Sequence, residues 1–221
     1  MNKLLLTSAL LMMFVPSYGR NAHKGKEYVD LGLSVKWATC NVGAQKPEES
    51  GYYLAWGETA AKDSYSFSTY KHSVNGSRLT KYNSSATIGY NGFSDNKTNL
   101  ELADDAASVL WGGKWRMPTM SEFDELRNNC NWTWTTQNGV AGYLITSKKE
   151  GFTDCSIFLP AAGYKTSGTL NNNGSQGCYW SSMCDDGMQS DGAFYLCGES
   201  RRVYNARNLR CNGMTVRPVL P

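Results

Sequence analysis

From Trp132 to the C-terminus the chain offers only short strand-like runs. They are WTWTT, VAGYLITS, SIFLPAAGY, CYWSSM, GAFYLC, RRVYN and MTVRPVL, separated by clusters of Gly, Asn and Asp. Runs this short, rich in aromatic and β-branched residues and bounded by turn formers, predict an antiparallel sheet. The sharpest local constraint is Gln137-Asn138-Gly139, which sits between WTWTT and VAGYLITS. Asn-Gly suits a type I′ turn, whose two central residues both need positive φ, so these two runs should form a hairpin.

Two helices are expected upstream. WRMPTMSEFDELRNNC places Thr119 and Glu122 in a T-x-x-E capping box directly after Pro118, with Phe123, Leu126 and Cys130 as the buried stripe. In NLELADDAASVLWGG, Leu100, Ala103, Ala107 and Leu110 recur at helical spacing before a Gly-Gly stop, so a helix is expected there too. Asp104 and Asp105 would then lie on its solvated face, and as adjacent helical residues they diverge too far to converge on one substrate. Nearer the N-terminus, EYVDLGLSVKWATCNVG reads as a strand, a Gly turn and a second strand through Val35, Trp37 and Thr39. The stretch from Gln45 to Asn99 is a long polar loop rich in Gly, Ser, Asn and Tyr, within which GYYLAWGE is strand-like. Loops of that length are usually functional or packed by their own side chains. The order is strand, two helices, then a β-rich second half, which is the α+β class.

The chain of 221 residues opens MNKLLLTSALLMMFVPSYGR. Lys3, the apolar run Leu4 to Val15, Pro16, and small residues at 17 and 19 have the layout of a secretory signal peptide, residues 1–19. The run is shorter than the ~20 apolar residues that span a bilayer. Residues 20–26 read as a polar leader and 27–221 as one domain, large enough for a sizeable core. A formal charge of +3 gives no field favouring nucleic acid. All seven cysteines lie in the exported part, where disulfides are permitted, but no C-x-x-C occurs and an odd number leaves at least one thiol unpaired or intermolecular.

Four blocks together resemble one family: YVDLGLSVKWATCNVGA, WRMPTMSEFDEL, FLPAAGY, and YWSS followed by AFYL and NGMTVRPV. Their order is similar to that of the Fibrobacter succinogenes major paralogous domain of exported Bacteroidetes proteins, part of the C-type-lectin-like superfamily. The resemblance implies a C-type-lectin-like domain whose N- and C-terminal strands pair and whose C-terminal half presents a ligand-binding face. It also implies placement at the cell surface or in a fimbria-like assembly. Neither Glu-Pro-Asn, Gln-Pro-Asp nor Trp-Asn-Asp, the calcium-ligand tripeptides of sugar-binding C-type lectins, occurs here. The cysteine motif of formylglycine-generating enzymes is likewise not recognisable.

Little else points to catalysis. The two histidines are His23 in the leader and His72 in a Lys/Ser-rich loop, read as solvated. No G-x-S-x-G, H-E-x-x-H or phosphate-binding Gly loop occurs. Asp185, Asp186 and Asp191 could offer hard oxygen ligands to calcium, though they match no EF-hand and Asp-Gly is also ordinary turn chemistry. Cys178, Cys184, Cys197 and Cys211 have the spacing of no compact metal site; one disulfide among them and unpaired thiols both stay open. Trp111, Trp115, Trp132, Trp134 and Trp180 read mostly as core.

The segment 178–211 therefore reads as a displayed surface. Its Tyr, Ser, Gly, Asn, Asp and Arg content resembles that of a paratope. Arg201, Arg202, Arg207, Arg210 and Arg217 are either cross-strand partners of nearby acids or bidentate readers of carboxylate, sulfate or phosphate. In RRVYN, alternation with Val203 inward makes Arg202 and Tyr204 outer neighbours. The candidate contacts are Ser182, Asp185, Asp186, Gln189, Glu199, Arg201, Arg202, Tyr204, Asn205, Arg207 and Arg210. The expected function is non-enzymatic binding of a glycan or protein outside the cell, with no cofactor unless calcium. The alternatives are a formylglycine-type oxidoreductase on the same fold and a structural surface component.

Overall fold

The computed structural model describes residues 21–185 and 191–221. The signal peptide read at residues 1–19 lies outside the described residues, as do Asp186 and Gln189. The described residues are mostly β-sheet with two α-helices. No helix of the described residues is long and apolar enough to cross a membrane.

The two ends of the chain meet in one sheet. Strand β1 (Asn21–His23) pairs antiparallel with β2 (Lys26–Val29) around Lys24-Gly25, both at positive φ. Residues read as a leader thus supply β1 and the start of β2. Strand β2 pairs with β3 (Lys36–Ala38), and Asp30 accepts the Gly32 amide at 2.9 Å in the turn between them. The expected terminal pairing is present. Further along the chain come two short strands in the long loop, β4 (Ser73–Val74) and β5 (Arg78–Leu79), the helices α1 (Ala106–Trp111) and α2 (Met120–Asn129), and β6 (Cys130–Gln137). They are followed by β7 (Val140–Ser147), β8 (Ser156–Pro160), β9 (Tyr164–Thr166), β10 (Thr169–Asn171), β11 (Gln176–Cys184), β12 (Gly192–Glu199), β13 (Arg202–Leu209) and β14 (Val219–Leu220). Strand β14 closes the terminal sheet against β3, with Val219 opposite Trp37 and Leu220 opposite Lys36.

Helix α2 forms where its capping box predicts. The Thr119 amide donates to Glu122 Oε2 at 2.8 Å and the Glu122 amide donates back to Thr119 Oγ1 at 3.3 Å. Phe123 and Leu126 are buried beside Trp37 and Val219. Helix α1 is shorter than the periodicity suggested, and its two acids are not solvated. Asp105 is the N-cap, accepting the Ser108 amide at 3.0 Å and the Met117 amide at 2.8 Å. A side chain that satisfies those amides starts a helix after itself, so Leu100 and Ala103 precede the first turn. Leu110, one of the residues at helical spacing, is 41% exposed.

The hairpin at Asn138-Gly139 joins β6 to β7, with φ of 48° and 83° at the turn, and β8 completes that sheet. A third sheet has the order β11-β12-β13. Its two faces are buried against different cores. Cys178, Trp180, Tyr195 and Cys197 pack with Trp56, Tyr82 and Met214. Tyr179 and Leu196 pack with Trp37, Phe123 and Ile145. The alternation is the expected period of two, but neither face of this sheet is open.

The long loop is anchored by its own aromatics. Tyr65, Tyr70 and Leu79 pack with Ala55 and Cys211, and Leu54 exchanges backbone bonds of 2.9 and 3.0 Å with Met214. Trp115 and Trp180 are core residues, and Trp111, Trp132 and Trp134 are partly buried against it.

Candidate functional site

The β12–β13 hairpin turns at Ser200-Arg201, with Glu199 and Arg202 facing each other across the closing pair. Glu199 collects three donors: Arg202 Nε at 3.1 Å, the Tyr204 hydroxyl at 2.8 Å and Gln176 Nε2 at 3.1 Å. The bonds from Arg202 and Tyr204 hold its carboxyl below the usual range. The Arg202 guanidinium lies 4.5 Å from the centre of the Tyr204 ring, a cation–π contact, and its side chain is 66% exposed. Its two terminal nitrogens have no partner among the described residues. Arg201 is exposed beside it. The tip therefore offers a planar, preoriented cation whose free edge points to solvent.

The remaining candidates are engaged internally. Arg207 pairs through Nε with Asp185 at 2.5 Å and through Nη2 with Asp191 at 2.5 Å. Two carboxylates named as calcium ligands do come together, but around a guanidinium. Asn205 donates to Asp124 of α2 at 2.8 Å. Ser182 lies within β11, its amide bound to the Pro118 carbonyl at 2.7 Å and its carbonyl to the Leu100 amide at 2.9 Å. Arg210 is fully buried, donating to the Tyr82 carbonyl at 2.9 Å, with its guanidinium 5.2 Å from the Trp56 ring centre. It is a core staple and not a surface contact, and Arg217 is buried in the same way. Tyr204 and Val203 do point to opposite faces, as alternation requires. Each face meets a core cluster, so Tyr204 is half-buried against Cys197 and Tyr195 rather than on an open outer face.

His72, read as solvated, is 5% exposed. Its Nε2 sits 3.1 Å from the Gly57 carbonyl and 3.7 Å from Asp104, between the rings of Tyr70 and Tyr82. Burial holds its pKa below the ordinary histidine value. Asp104 is bound by Lys71 at 2.7 Å, Lys81 at 2.6 Å and Tyr82 at 2.8 Å. Burial raises its pKa, but these three donors outweigh that and hold the carboxyl well below its usual range. The packing of that loop fixes this cluster in the interior.

A feature the sequence reading missed lies at the outer end of the long loop. Asn75, Arg78, Ala86, Gly89, Tyr90, Asn91 and Gly92 line an open depression of about 380 Å³. Tyr90 is 41% exposed there. The signal was the Gly, Asn and Tyr content of SATIGYNGF, residues 85–93, which gives a displayed ring among small polar groups.

No family model matches this chain. No curated protein and no solved structure matches it. Its function has to be argued from the chemistry of these surfaces.

Proposed function

We propose that the chain is an exported, non-enzymatic binding domain of C-type-lectin-like architecture, which engages anionic groups of a glycan or protein through the β12–β13 hairpin tip. The observation that carries this reading is the Arg202 guanidinium, stacked on Tyr204, fixed at Nε by Glu199 and open at its outer edge. A planar guanidinium with two free donors fits carboxylate or sulfate in bidentate fashion, and its preorientation reduces the entropy lost on binding. Arg201 adds a second positive charge at the same tip. The paired terminal strands, the helices α1 and α2 ahead of β6 and the antiparallel sheets that follow support the C-type-lectin-like reading. The layout Lys3, Leu4–Val15, Gly19 supports export.

The test is a glycan and protein panel screened with wild type and with the Arg201→Ala/Arg202→Ala variant. The variant should lose about tenfold or more in affinity, ~1–2 kcal/mol, and binding should weaken with added salt. Unchanged binding by the folded variant would refute the assignment of the tip. A Tyr90→Ala arm in the same screen then asks whether the loop depression is the contact surface instead.

A further inference from the structure

Two of the seven thiols face each other. Cys178 of β11 is directly opposite Cys197 of β12, and both are fully buried. The Cys178 carbonyl accepts from the Thr215 amide at 3.3 Å and the Thr215 hydroxyl at 2.8 Å, and the Trp180 amide donates to the Thr215 carbonyl at 3.1 Å. Backbone groups of residues 178 and 180 therefore point away from β12. Cys178 and Cys197 form a non-hydrogen-bonded antiparallel pair, in which Cα atoms approach to ~4.5 Å and side chains lie closest. Disulfides span Cα separations of ~4.4–6.8 Å, so the bond can close there without moving the strands.

We propose that Cys178 and Cys197 close into a cross-strand disulfide when the chain folds under oxidising conditions, pinning the β12–β13 hairpin to β11. The surroundings suit that step. Gln176 bridges the two thiols: Cys178 Sγ donates to its Oε1 at 3.5 Å, and its Nε2 donates to the Cys197 sulfur at 3.0 Å. The neighbouring Cys178 thiol, against burial and with help from Tyr204 and Gln176, holds the Cys197 thiol below its ordinary value. The same contact and burial push Cys178 up. The Cys178 contact needs only β11 and β12 paired, so Cys197 is the thiol that ionises and attacks, and Cys178 keeps its proton until the second step. The other tail cysteines lie elsewhere: Cys184 is opposite Ala193, and Cys211 belongs to a different core cluster.

The oxidant is a disulfide, either a small molecule or a dithiol oxidoreductase. Cys197 thiolate attacks one of its sulfurs and expels the other as a thiolate, giving a mixed disulfide. Cys178 then loses its proton and attacks Cys197 Sγ, expelling the second oxidant thiolate. Two protein thiols are oxidised by two electrons, the oxidant is reduced to two thiols, and those take up the two protons. Because both sulfurs are sealed in the finished fold, the exchange precedes the packing of Tyr204 over them.

The experiment is refolding of the reduced chain with reduced and oxidised glutathione, then alkylation, denaturation and mass mapping. Trypsin alone leaves Cys178, Cys184 and Cys197 on one peptide, since no Lys or Arg lies between 165 and 201. Cyanogen bromide added to trypsin isolates them on 166–183, 184–188 and 189–201. The expected result is loss of two of the seven free thiols, 166–183 cross-linked to 189–201, and a Tm that falls by about 6–12 °C on reduction for a loop of about 20 residues. A Cys178→Ala/Cys197→Ala variant should show no such response to reductant. Seven free thiols in wild type folded under these conditions, or a cross-link joining other cysteines, overturns the proposal. The mapping needs only wild-type protein, and its outcome is independent of whether the hairpin tip binds a ligand.

Discussion

Arg217→Met removes a charge from the interior without opening a large hole, and its cost follows from counted bonds. Arg217 is fully buried. Its Nε donates to Asn41 Oδ1 at 2.8 Å, Nη1 to the Ala38 and Thr39 carbonyls at 3.0 and 2.7 Å, and Nη2 to the Phe158 carbonyl at 2.9 Å. One side chain thereby ties the exit of β3 to β8 and to the approach of β14. Methionine keeps most of the apolar stem but strands three carbonyls and an amide oxygen. An unsatisfied buried acceptor costs ~1–3 kcal/mol, so even at the low end the total is about 4 kcal/mol. Domains of this size are stable by ~5–15 kcal/mol. At ~2–4 °C per kcal/mol the Tm should fall by about 8–16 °C. Urea unfolding followed by tryptophan fluorescence measures this directly, with Arg201→Met at the exposed tip as a control expected within about 0.5 kcal/mol. A loss below ~1 kcal/mol with an unchanged m-value would show that those carbonyls find other partners and that the guanidinium is not the tie.

Two further outcomes concern the buried ion cluster. Asp104→Asn should cost about 2 kcal/mol at neutral pH, by weakening the bonds from Lys71, Lys81 and Tyr82. Because the folded carboxyl titrates below its ordinary range, that stability is complete above about pH 4 and lost as pH falls further, so wild type and variant should converge in acid denaturation. His72 has a folded pKa depressed by burial despite Asp104, so the unfolded chain takes up its proton first. Stability should decline as pH drops below about 6.5, and His72→Gln should flatten that slope in unfolding curves between about pH 5 and 7.

The parts of the fold that were legible in sequence are those fixed by local chemistry. Asn138-Gly139 dictates its turn because few residue pairs accept two positive φ values, and the turn then sets the register of β6 on β7. Thr119 and Glu122 mark the start of α2 because the bonds that define the cap lie within four residues. Helix α1 was over-read because its apolar spacing extends through Asp105, and spacing does not reveal that this carboxylate is taken up by the Ser108 and Met117 amides. His72 looks solvated in a Lys/Ser-rich loop, and Asp104 looks solvated on a helix face. Their burial depends on Tyr70 and Tyr82 folding the loop onto the domain, a non-local event with no period to read.

The tail was misjudged for a reason that also explains its composition. Alternation in RRVYN correctly separates Val203 from Tyr204, but a period of two says only that two faces differ and not that one of them is wet. Here the β11-β12-β13 sheet lies between two cores, so its polar residues must be satisfied inside the protein. Arg210, just past β13, does this as a staple on the Tyr82 and Gly192 carbonyls, and Arg207 does it by joining Asp185 to Asp191. What composition reads as paratope-like is therefore largely the polar lining of a doubly covered sheet. Among the described residues of this segment the tip at Glu199 to Arg202 leaves those layers, and there a guanidinium keeps donors that the described residues do not use. That difference in satisfaction, rather than residue type, separates the one candidate for recognition from its look-alikes in the same segment.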